Sequence, residues 1–151
     1  MAPIIISNPT PVLNEAAIIN QLLDEGLELF HLRKPDYTKG EYRSLIQHIR
    51  NEYYDRLVLH QFHELAQESG INRLHFSGKK RNETTNWEAY LSFHLSTSVH
   101  SMEEFNALPR QFSYAFLSPV FPSISKKGYG ENSNILNDIK KRDNSNVKLI
   151  A

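Results

Sequence analysis

The chain has 151 residues, 40% of them hydrophobic and 23% charged, and its 17 basic side chains are balanced by 17 acidic ones. That length supports one domain with a real core, and the charge balance recruits neither nucleic acid nor an acidic membrane surface. Cysteine is absent, which rules out disulfides, thiolate nucleophiles and zinc–thiolate sites; no run approaches about 18 apolar residues, so a cytoplasmic place is expected.

Pro3–Ser7 (PIIIS) reads as the first strand. Val12–Glu25 follows as a helix, because Leu13, Ala16, Ile19, Leu22 and Leu23 recur at three- and four-residue steps. Leu27–Leu32 is a second strand, and Tyr37–Asn51 a second helix carried by Tyr42, Leu45, Ile46 and Ile49. Arg56–His60, a helix over His63–Glu68 and a strand over Arg73–Phe76 continue the alternation. Gly78–Asn86 is polar and reads as a mobile loop, with a short helix near Trp87. Leu91–Ser96 is the fifth strand, and Ser101 with Glu104 has the spacing of a capping box for a helix through Leu108. Tyr114–Ser118 is the sixth strand, Asn132–Lys141 the last helix, Asp143–Asn146 a polar turn and Val147–Ala151 the seventh strand.

Strands alternating with helices imply parallel pairing through right-handed crossovers, in an open doubly wound sheet or a (β/α)8 barrel. No Gly-x-Gly-x-x-Gly follows the first strand, which argues against dinucleotide binding. An end on Ile150-Ala151, with no covering helix, reads as a fragment edge.

In either fold, chemistry gathers where strands end. At those places stand His31 and Arg33, then His60, Gln61 and His63, then His75 and Ser77, then Ser96, Ser98 and His100. Strand alternation puts His31 and Arg33 on one face, where the guanidinium offers a planar fork to phosphate or carboxylate and the histidine can exchange a proton. His60 and His63, three apart with no third ligand in view, do not define a metal site. His75 and His94 read as core histidines, His48 as a surface one, and His100 as a group that caps or orients the following helix. The loop after the sixth strand is stiffened by Pro119 and Pro122 and presents Ser123, Ser125 and Lys126, a set suited to an oxyanion or phosphate.

Three segments in order, His31-Leu-Arg33, Ser98-Val-His-Ser-Met-Glu-Glu104 and Ser118-Pro-Val-Phe-Pro-Ser-Ile-Ser-Lys126, resemble the thiamine-phosphate synthase and thiazole tautomerase superfamily from about Ile4 to Ala151. The resemblance implies a single (β/α)8 barrel domain over 1–151, lacking the unit after strand seven, and a synthase that joins hydroxymethylpyrimidine diphosphate to thiazole phosphate with release of pyrophosphate. It implies that Arg33, Ser98 and Lys126 hold the diphosphate, with His31 beside them in the catalytic set. Ser123 and Ser125 would contact the thiazole phosphate, and His60 and Gln61 would line the substrate site. The family's Mg²⁺ carboxylates fall at Gln61 and Lys80, so no metal ligands are expected there. A tautomerase-like proton transfer is the alternative, although its catalytic histidine falls at Pro119. A non-catalytic barrel binding a phosphorylated precursor is a third reading. The expected partners are a phosphorylated thiazole or pyrimidine and, across an open barrel seam, further copies of the chain.

Overall fold

Short runs, wholly apolar in some cases and mixed with polar residues in others, make the strands. In the computed structural model, which describes residues 3–120, 130 and 135–150, these are Ile4–Ile6 (β1), Leu29–Leu32 (β2), Leu57–Leu59 (β3), Arg73–Phe76 (β4), His94–Val99 (β5), Phe112–Leu117 (β6) and Lys148–Ile150 (β7). Helices Glu15–Asp24 (α1), Lys39–His48 (α2), Glu64–Ser69 (α3), Gly78–Glu83 (α4), Met102–Asn106 (α5) and Ile135–Asp138 (α6) lie between them. No helix among the described residues is long and apolar enough to cross a membrane. The chain divides into two units, residues up to His75 and residues from Phe76 onward.

In the first unit β1, β2, β3 and β4 lie parallel in chain order, with Ile5 beside Phe30, Leu32 beside Leu59 and Leu59 beside Leu74. Every residue of β2 and β3 is buried, the pattern of strands covered on both faces. Ile19 and Leu23 of α1 and Tyr42 and Ile46 of α2 supply the helix side of this core. The first helix begins at Glu15, later than the apolar period predicts, because Asn14 takes a left-handed φ of 57° and Leu13 stays 86% exposed. The second starts on a full capping box: the Thr38 hydroxyl accepts from the Glu41 amide, and the Glu41 carboxylate accepts from the Thr38 amide.

In the second unit β5, β6 and β7 are likewise parallel and consecutive, with Thr97 beside Ala115 and Ala115 beside Leu149. Phe76, Trp87, Tyr90 and Phe112 form an aromatic cluster. The polar stretch expected to be a mobile loop is instead largely helical. Ser77 caps α4 by accepting from the Lys80 amide, and Arg81 anchors it to β5. The fifth strand is displaced from Leu91–Ser96 to His94–Val99, since Trp87–Tyr90 form a 3-10 turn that carries Leu91 out to 81% exposure. His94 is therefore exposed at the strand's first residue, not a core histidine. The expected box at Ser101 is half made: the Ser101 hydroxyl accepts from the Glu104 amide, but the Glu104 carboxylate goes to the amide of His100. The peptide bond before Pro119 is cis.

The turn predicted at Asp143–Asn146 is not merely solvated. Asn144 is buried, and its amide nitrogen donates to the carbonyls of Phe105 and Leu108. Asn106, the last residue of α5, donates to the Lys141 carbonyl and accepts from the Asp143 amide. These two side chains fix the approach to β7, where Val147 is fully buried.

Candidate functional site

Strand register gathers three imidazoles in the first unit. His31 pairs with Val58, and Leu59 pairs with Leu74. Side chains alternate along each strand, so one further residue sets His60 beside His75 and leaves His31 two positions back on the same face. His31 Nδ1 lies 2.9 Å from His60 Nε2. The His60 and His75 rings stack with centroids 4.1 Å apart, and His31 meets both edge-on at 5.2 and 5.6 Å. His31 is 0% and His75 2% exposed, while His60 is half-buried at the strand end. The Nε2 atom of His63 hydrogen-bonds the carbonyl of His75 at 3.1 Å.

Burial above all, with the charge of Arg73 behind it, pulls the His31 imidazole from 6.5 down to about 3. Burial also holds His60 well below the ordinary histidine range, helped by the charges of His75, His31, Arg33 and His63. Both rings stay neutral near pH 7, poor proton donors with a ring-nitrogen lone pair to offer. A depressed histidine contributes stability that is complete above its unfolded value and is lost as pH falls toward the folded one. Below about pH 6.5 the unfolded chain takes up a proton that buried His31 refuses, at about 1.4 kcal/mol per pH unit. The melting temperature of the metal-free chain should therefore fall from about pH 6.5 to 5, above the carboxylate range. His31→Leu should flatten that slope, and an unchanged slope would place the acid sensitivity elsewhere.

Neighbouring side chains fix the ends of these strands. The buried Tyr42 hydroxyl of α2 donates to the Leu32 carbonyl at 2.7 Å and accepts from the His60 amide at 3.3 Å. Its burial pushes the phenol well above the usual range. Ser7, just past β1, accepts from the Arg33 amide and donates to the Arg33 carbonyl, at 2.8 and 3.0 Å. That clasp leaves the Arg33 side chain exposed. Lys34 points the other way, as strand alternation predicts. It is fully buried against Glu15 at 2.6 Å, and its ammonium donates to the carbonyls of Asn8 and Thr10. Gln61 Oε1 accepts from the Lys34 amide at 3.1 Å.

The second unit holds a separate constellation. Ser98 lies inside β5 and not in the loop after it, half-buried, and its carbonyl accepts from Arg81 Nη1 at 2.7 Å. The same Arg81 nitrogen reaches Thr97 Oγ1, which donates to the carbonyl of Phe76. Arg81 also lies 3.8 Å from Glu104. His100 is exposed, with Nδ1 2.8 Å from the Ser118 carbonyl, so it orients the loop ends around α5. Ser123, Ser125 and Lys126 lie outside the described residues.

Two contributors escape sequence reasoning. Arg81 sits in a segment with no apolar period, and only the cap at Ser77 signals the helix that carries it. His75 reads as core filler, and only the Leu59–Leu74 register makes it the partner of His60.

The magnesium implied by the resemblance does not fit the donors at its two positions. Gln61 gives its amide oxygen to a backbone N–H, and the Lys80 ammonium lies 5.6 Å from the Phe76 ring centroid. A hard cation asks for anionic oxygens, which neither residue supplies.

The chain matches the family model of thiamine monophosphate synthase, TMP-TENI, over residues 4–146. Among solved structures it is similar to thiamine phosphate pyrophosphorylase from Bacteroides thetaiotaomicron, with 31% identity and a TM-score of 0.70 over 80% of this chain and 59% of that one. Thiamine phosphate pyrophosphorylase from Pyrococcus furiosus shares the fold, at 17% identity and a TM-score of 0.59, over 79% of this chain and 60% of that one. The chain thus spans 59–60% of the length of these two structures. No curated protein matches it. By its family match and its likeness to the Bacteroides structure, the chain belongs to the thiamine monophosphate synthase family.

Proposed function

We propose that this chain carries thiamine-phosphate-synthase chemistry, in which a pyrimidine methylene loses diphosphate and bonds to the ring nitrogen of a thiazole phosphate. The reading rests on the 31% identity with the Bacteroides pyrophosphorylase across 80% of this chain. The (β/α)8 barrel goes with it as the proposed architecture, supported by the consecutive parallel strands within each unit. A cytoplasmic place and a small phosphorylated partner belong to the same reading.

The physical task is to stabilise charge on the departing diphosphate with cations and oriented donors. Arg33 suits it, because the Ser7 clasp holds its backbone while the guanidinium projects into solvent. Ser98 and Lys126 are proposed as further diphosphate contacts, and Ser123 and Ser125 as contacts to the thiazole phosphate. His31 is buried and neutral, so its role beside the substrate is to accept a hydrogen bond or to position His60, not to donate a proton. No step runs through magnesium.

Mixing the chain with both precursors should release pyrophosphate above a buffer control, and Arg33→Ala should cut kcat/KM by roughly 100-fold, the scale of one lost charge-stabilising donor. Absence of release would sink the synthase reading. The loss of both carboxylates at Gln61 and Lys80 favours a second reading, a non-catalytic domain that binds a phosphorylated thiazole. Calorimetric binding without turnover would select it. The tautomerase reading draws less support, since Pro119 occupies the place of its histidine and buried His31, neutral at pH 7, is a weak base.

A further inference from the structure

We propose that His31, His60 and His75 form a binding site for a divalent first-row transition-metal ion, with zinc the ion to test. One ring nitrogen from each residue can be chosen so that all three lie within 4.8 Å of one another. Zinc–nitrogen bonds of about 2.0–2.1 Å at tetrahedral angles place ligand nitrogens about 3.3–3.4 Å apart. The His31–His60 separation of 2.9 Å is slightly tighter than that, and the outer limit of 4.8 Å slightly looser. Shifts of about 1 Å or less on each ring therefore suffice. The main adjustment falls on His60, whose ring is stacked on His75 with planes 21° apart. Rotation about its χ2, a broad torsion in imidazoles, opens the stack and turns the lone pairs toward one point. His60 is also the half-buried member, so the ring that must turn is the one with room to do so.

The chemistry of the set selects the ion. Three imidazoles and no carboxylate reject magnesium and calcium, which want oxygen, and suit zinc, cobalt, nickel or copper. A neutral imidazole is the form that ligates, and burial favours it over the charged form. His31 and His75 lie in β2 and β4, and His60 is the first residue past β3, giving a more rigid base than a long loop would. Three protein ligands leave a fourth position open. The open position is suited to water or an oxygen ligand. The proposed synthase reading places His31 and His60 near its substrate, but metal binding does not depend on that reading and is tested without reference to turnover.

The experiment uses the full, tag-free chain stripped with a chelator and titrated with Zn²⁺ and Co²⁺. One equivalent of Zn²⁺ should bind, and Co²⁺ should give the intense visible absorption of a four-coordinate site. His60→Gln, checked for folding by circular dichroism, should weaken binding by at least about 100-fold, because even indirect changes around a metal cost 10–100-fold. His48→Gln and His94→Gln, at exposed positions, should leave it unchanged. Uptake well below one equivalent, or uptake indifferent to His60→Gln, overturns the proposal. Should His60→Gln fail to fold, ring-proton NMR of the unaltered chain decides: Zn²⁺ must move the signals of His31, His60 and His75 together, and movement confined to other histidines overturns the site.

Discussion

Lys34→Ala should destabilise the first unit by about 3–5 kcal/mol, the cost of leaving one member of a buried ion pair without its partner. Lys34 is 0% and Glu15 9% exposed by side chain, at a separation of 2.6 Å. The same ammonium donates to the carbonyls of Asn8 and Thr10 at 2.7 and 2.8 Å. Removing it leaves a buried carboxylate and two backbone carbonyls without their shared donor. For a chain of this length the melting temperature should drop by roughly 10 °C. Lys34→Met with Glu15→Leu should recover much of the loss, because an apolar pair carries no stranded charge. Lys79→Ala is the control: Lys79 and Glu83 lie 3.9 Å apart and are mostly exposed, so no measurable change is expected. A Lys34→Ala melt that matches the Lys79→Ala melt would show the buried pair to contribute nothing.

The second large effect is Phe76→Ala, expected to cost about 3–5 kcal/mol. Phe76 is fully buried; Trp87 and Tyr90 each lie 5.1 Å from it by centroid and Phe112 lies at 6.5 Å. Edge-on and tilted aromatic pairs add to the area they bury, so truncation loses both packing and ring contacts and leaves a cavity. The backbone carbonyl of Phe76 also accepts from Thr97 Oγ1, a bond that the substitution leaves in place. The loss is therefore one of side-chain contacts, the Lys80 ammonium over the ring included. Trp87 is the only tryptophan in the chain, so its fluorescence reports directly on this cluster during urea unfolding. Phe76→Leu should fall between the two, and equal midpoints for Phe76→Ala and the unaltered chain would remove the cluster from the stability argument.

Much of the first unit was legible because β1 and β3 are continuous apolar runs and α1 and α2 have clear three- and four-residue periods. Ile19, Leu23, Tyr42 and Ile46 face the core as their spacing requires. Legibility failed where local pattern and tertiary register disagree. Leu91, Phe93 and Leu95 alternate like a strand, yet only Leu95 enters one, because the 3-10 turn from Trp87 hydrogen-bonds through Leu91 to Glu88. Gly78–Glu83 has no apolar face, and its helix depends on the cap of Ser77 and the reach of Arg81. The histidines make the same point more sharply. His75 and His94 occupy similar short apolar segments, but one is 2% exposed and the other open to solvent. His31 and Arg33 could be assigned to one face from alternation alone. Joining His60 to His75 needed the pairing of Leu59 with Leu74, which no residue type announces.

Asn106 and Asn144 tie the approach to β7 back to α5 by side-chain bonds to Lys141, Asp143, Phe105 and Leu108. None of those bonds uses a residue between β6 and α6. The approach to β7 is thus tied to a helix that ends 35 residues before Lys141. A substitution at Asn106 would therefore be felt far along the chain, at the entry to a strand and not in the helix that carries the change.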